Sequence, residues 1–149
     1  MRWTLRPGAC GVASGSVEPP HLSIRRVDVQ PAEAPDRWRV GWLLQNEAHA
    51  APDTLWVDSA WVPHGRFRGP GRVPLRLPVP PGAVARIELE VRAAEPPGTA
   101  VDNAFLILAV RYRRRAWRIF VRMRIEFDTQ PRPRCELVTT QAIQSAACR

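Results

Sequence analysis

Between Ala104 and Asp128 the chain reads AFLILAVRY, RRRA, WRIFVRMRIEFD, and no other stretch restricts the fold as much. In the second arm Trp117, Ile119, Val121, Met123, Ile125 and Phe127 share one phase, while Arg118, Arg122, Arg124 and Glu126 share the other with Phe120. Strand side chains repeat every two residues, so this arm has one dry face and one basic face. The first arm is apolar in both phases: Leu106, Leu108, Val110 and Tyr112 in one, Phe105, Ile107 and Ala109 in the other. That pattern predicts a central strand with neighbours on both faces, and the two arms predict a β-hairpin.

The rest of the chain reads as short strands separated by turn residues. LSIRRVDVQ after His21 changes apolar phase between Ile24 and Val27, the mark of a β-bulge. RWRVGWLLQ places Trp38, Val40, Trp42 and Leu44 on one face. A polar segment from Asn46 to Asp53 predicts a loop. Thr54 to Val62 then predicts a strand with Leu55, Val57 and Trp61 together on its core phase. The stretch from Pro63 to Gly71 has no period and is expected to be the longest irregular loop. Val73, Leu75, Leu77 and Val79 alternate behind it, but Pro74 and Pro78 remove ladder donors, so an edge strand is expected. Pro81-Gly82 fits a type II turn, and Ala85 to Val91 alternates cleanly with balanced charges on the outer phase. ELVTTQAI supplies a last strand.

About eight strands and no helical period predict an all-β fold, a two-sheet antiparallel β-sandwich, with a small β-barrel as the alternative. Residues 1–20 read as a flexible arm, 21–143 as a single sandwich domain and 144–149 as a tail. A Trp-bearing second strand (Trp38, Trp42), an Asn-led turn, a Pro-Gly turn before Ala85 to Val91 and a closing hairpin together resemble immunoglobulin-like and fibronectin type III-like domains. The resemblance lies at the level of the fold and spans His21 to about Asp128. The cysteine pair of antibody domains is missing, and Tyr112 ends its strand rather than starting it.

Charge divides the chain unevenly. Through Val110 there are 12 Arg against 11 acids, and from Arg111 onward 10 Arg against 3, so nearly all of the net +8 falls in the hairpin and tail. The chain has no Lys, which fits a GC-rich bacterial genome and excludes a Walker A lysine, a kinase lysine and Schiff-base chemistry. Cys10, Cys135 and Cys148 are odd in number and lack C-x-x-C spacing, as expected of thiols in a reducing cytoplasm. The longest apolar run, Ala104 to Val110, is too short to cross a bilayer, so neither secretion nor membrane insertion is expected.

No catalytic motif is present, and His21, His49 and His64 show no ligand spacing, so the expectation is a non-enzymatic chain without metal or cofactor. The loop bearing His64, Arg66 and Arg68 is a candidate for binding, but a turn set by Gly65 with Phe67 plugging a sheet edge is the preferred reading, since no partner acid or nucleophile sits nearby. Two surfaces stand out. Phe105, Ile107 and Phe120 lie off the core phase and call for a cover: the chain's own Leu137, Val138 and Ile143, a second copy, or another protein. This is the expected partner interface of a protein-binding or adaptor module. The alternative is anion or nucleic-acid binding by Arg111, Arg113, Arg114, Arg115, Arg118, Arg122 and Arg124.

Overall fold

A computed structural model describes residues 18–49, 53–128 and 132–145. The described residues form ten strands and no helix: β1 (Leu22–Pro31), β2 (Arg37–Asn46), β3 (Leu55–Trp61), β4 (Pro63–His64), β5 (Phe67–Arg68), β6 (Val73–Val79), β7 (Val84–Arg92), β8 (Ala100–Tyr112), β9 (Arg115–Phe127) and β10 (Pro133–Gln144). They make two five-stranded antiparallel sheets, ordered β1-β2-β7-β5-β4 and β10-β9-β8-β3-β6. The all-β, two-sheet expectation is met. Two more strands than expected appear because the stretch after Trp61, read as irregular, folds into the small β4–β5 hairpin.

Alternation decides which side of each strand turns inward. Val40, Trp42 and Leu44 of β2 and Ile87, Leu89 and Val91 of β7 face the second sheet, where Leu106, Leu108, Ile119, Val121, Met123 and Ile125 complete the core. Phe67 is fully buried, so β5, only two residues long, is anchored through one ring. β-bulges reset the phase four times. In β1 the register shifts between Arg26 and Asp28, which lets Ile24 and Val29 both point inward. In β3 a shift between Val57 and Ser59 turns Ala60 and Val62 into the core and sends Trp61 to the outer face. That corrects the assignment of Trp61 to the core phase. The others lie in β8 between Val101 and Ala104 and in β10 between Leu137 and Thr139.

The β8–β9 hairpin forms as expected and closes on Arg113 and Arg114, with φ of 50° and 61°. Positive φ at both central residues is the hairpin geometry that matches strand twist, and it usually selects Asn-Gly. Here two arginines occupy it. β6 sits at a sheet edge with Pro74 and Pro78 opposite Ser59 and Trp56, as expected. β10 pairs edgewise with β9 and its first half runs near β1, with Arg132 donating to the Val29 carbonyl. The tail therefore widens the sheet instead of folding over its outer face. Leu137 packs against the core, while Val138 and Ile143 stay 48% and 45% exposed.

Candidate functional site

The outer face of the β10-β9-β8-β3-β6 sheet is built by register. Ile107 lies opposite Phe120 on β9 and opposite Trp61 on β3, and Phe105 lies opposite Arg122. Residues paired in this way share a face, so a Phe, an Ile and a Trp line up across three strands. Phe105 and Phe120 meet edge to face at 6.4 Å. Ile107 is only 9% exposed within this group, while Phe105 and Phe120 are half-buried. The three residues expected to form a partner interface are thus one contiguous patch.

Arginines frame the patch. The guanidinium of Arg72 lies 4.2 Å and that of Arg118 5.6 Å from the Trp61 ring centroid, and Arg111 stands 5.7 Å from that of Trp56, itself 42% exposed. Beyond Phe120, β10 adds Gln141 and Ile143 by register, opposite Phe120 and Arg118. The seven hairpin arginines do not form one basic surface. Arg111 is held by Asp58 through a two-pronged contact of 2.9 Å, Arg113 by Asp53 at 2.7 Å and Arg124 by Glu126 at 3.3 Å. Arg114, Arg115, Arg118 and Arg122 have no acidic partner among the described residues.

At the turn end of the hairpin, Arg113 ties a polar knot. It contacts Asp53 with two prongs and Glu18 at 3.1 Å, and Glu18 accepts from His21 at 2.6 Å. The hydrogen bond and charge of Arg113 hold the Asp53 carboxyl below the usual range, while the bonds from His21 and Arg113 do the same for Glu18. Burial pushes the adjacent Tyr112 hydroxyl up. Among the described residues that hydroxyl makes no hydrogen bond of good geometry, although it lies near enough to help hold Asp53 down. A carboxyl whose folded pKa is depressed stabilises the fold above its unfolded value of about 4, and the contribution disappears as pH falls through the folded value. Glu95 beside Arg66 and Glu126 beside Arg134 shift the same way. Unfolding midpoints followed from pH 6 to pH 2 should therefore fall on acidification, and Arg113→Ala should flatten that fall. An acid transition unchanged in Arg113→Ala would remove the knot's role.

The loop expected to hold His64, Arg66 and Arg68 lies on the other sheet. His64 accepts the Arg66 backbone N–H through Nδ1 at 3.1 Å, so it caps its own turn, and Arg66 grips Glu95 at 2.9 and 3.0 Å. Arg68 lies opposite Arg92. Sequence reasoning missed Trp56, Trp61 and Arg72 as members of the aromatic face. No sequence signal marks the bulge that turns Trp61 outward, because Asp58 and Ser59 suit either face of a strand.

Among the described residues no group of three or more His, Cys, Asp or Glu side chains could hold a metal ion, and no helix is long and apolar enough to cross a membrane. Cys135 is buried opposite Ile125, whereas Cys10 and Cys148 lie outside the described residues. The fold and surface define an all-β two-sheet sandwich with an aromatic and arginine-rich outer face. No family model, curated protein or solved structure matches the chain.

Proposed function

We propose that this is a non-catalytic, cytoplasmic protein-binding module of immunoglobulin-like or fibronectin type III-like architecture, which takes its partner on the outer face of the β8–β9 sheet. Strand order supports the architecture. With β1, β2 and β7 read as strands A, B and E, and β6, β3, β8 and β9 as C′, C, F and G, the sheets divide as in that class, and β10 extends the G edge.

One observation carries the binding assignment: register gathers Phe105, Ile107, Phe120, Trp56 and Trp61 on one sheet face, where Trp56 is 42% exposed. Aromatic residues and Arg are the types enriched at protein interfaces, and an apolar centre with a charged rim is their usual arrangement. The partner is another protein or a second copy of this chain. Phe120→Glu and Trp56→Glu should abolish capture of a partner, or self-association on size-exclusion chromatography, while Arg86→Glu on the opposite sheet leaves both intact. Phe120→Glu also loses the ring contact with Phe105, about 1 kcal/mol, so its thermal midpoint should fall only slightly. Retained binding in both face variants would overturn the assignment.

Nucleic-acid binding through the hairpin has weaker support, because Arg111, Arg113 and Arg124 are already engaged by carboxylates. The remaining four would give a log-log salt slope of roughly −3 to −4 on duplex DNA.

A further inference from the structure

On the opposite sheet, three arginines stand in one row across three strands. Arg37 of β2 pairs with Arg92 of β7, and Arg92 pairs with Arg68 of β5. Directly opposed residues share a face about 5 Å apart, and like charges placed so oppose the pairing. The conflict is concentrated at β5, which joins β7 at one register position, where Arg68 meets Arg92. The hairpin is thus docked onto the sheet at a like-charge contact.

Carboxylates relieve only part of it. Glu90 takes Arg37 at 3.3 Å, Asp36 takes Arg92 at 2.8 Å, and Glu95 is occupied by Arg66. Arg68 has no acidic partner among the described residues and is exposed. Arg37, Arg66, Arg68, Glu90, Arg92 and Glu95 line a groove of about 730 Å³, whose wall also includes Pro70 and Ala94. That volume is within the range of small-molecule sites and exceeds what a bare anion needs.

We infer that this groove binds a small phosphate ester, with the phosphate held between Arg68 and Arg92 and the organic part lying along Pro70 and Ala94. A phosphate supplies several acceptor oxygens and close to two negative charges, and guanidinium forks match that geometry. It would neutralise the like-charge contact, of which a carboxylate meets the Arg92 side alone. The site is separate from the aromatic face and does not depend on the protein-binding assignment.

The test uses inorganic pyrophosphate and a nucleoside diphosphate as probes, titrated calorimetrically into the full chain at low ionic strength, with succinate as a dicarboxylate control. Both phosphate probes should bind one per chain, the nucleotide more tightly, and succinate at least tenfold more weakly. Arg68→Ala should weaken binding tenfold or more without moving the thermal midpoint downward, since its side chain holds no ion pair. Arg68→Lys should fall between, because an ammonium keeps the charge but loses the fork. Arg118→Ala, on the other sheet, should bind as the wild type does. Absence of saturable binding, equal affinity for succinate, or affinity unchanged in Arg68→Ala would each overturn the inference.

Discussion

Asn46→Ala should lower the unfolding free energy by about 3 kcal/mol and the thermal midpoint by roughly 6–12 °C. Asn46 is 1% exposed at the end of β2, and its side chain is fully used. The amide donates to the Asp53 carbonyl at 2.8 Å and to the Val79 carbonyl at 2.9 Å, and its oxygen accepts the Ala48 N–H at 3.0 Å. Its backbone also meets Ala83 and Gly82 of the following turn. The side chain thus joins β2 to the loop into β3 and to the end of β6, and the backbone ties in the turn between β6 and β7. Removing the side chain takes a hydrogen bond from each of two carbonyls and one N–H on buried residues, and a buried group left unsatisfied costs about 1–3 kcal/mol. Asn46→Asp separates hydrogen bonding from packing. The carboxylate keeps the Ala48 bond but sets negative charge against two carbonyls, so its folded pKa is raised. The variant should therefore recover stability, relative to wild type, as pH falls toward 4. A loss below 1 kcal/mol for Asn46→Ala would contradict the described loop.

Trp42→Ala should cost about 3–5 kcal/mol, the range for deleting a buried aromatic side chain. Trp42 has no exposed surface and stands on β2 with its ring in the core between the sheets. Among the described residues its indole N–H has no hydrogen-bond partner, so Trp42→Phe should lose packing alone, about 1–2 kcal/mol. Chemical denaturation of both variants measures the pair. A cost below 1 kcal/mol for the alanine variant would mean that the two sheets do not face one another around this residue.

Much of this fold could be read from local alternation. Trp42, Ile119, Met123 and Ile125 were placed inward by phase alone, and the β1 bulge by a phase break at Val27. Two things were out of reach for physical reasons. Trp61 looked like core because period-2 counting cannot register a bulge in a strand whose flanking residues, Asp58 and Ser59, are compatible with either face. The Arg37, Arg92 and Arg68 row depends on register between strands distant in sequence, which packing sets and composition does not. The hairpin arginines show the converse. Their sequence clustering implies one basic surface, but pairing divides it: Asp58 arrives from β3, Asp53 from the loop before it, and Glu126 sits two residues beyond Arg124 in the same phase. The aromatic patch was legible as Phe105, Ile107 and Phe120, and the fold enlarged it by bringing Trp56 and Trp61 alongside.

Side-chain footprinting shows whether the proposed aromatic patch is covered by a partner. Labelling at Trp56, Phe105 and Phe120 would be compared between the isolated monomer and the captured or self-associated complex, with Val84 on the other sheet as an exposed reference. Strong protection of the three aromatic residues and unchanged labelling at Val84 are expected. Equal labelling of the aromatic residues in both states, with protection elsewhere, would contradict the proposed binding surface.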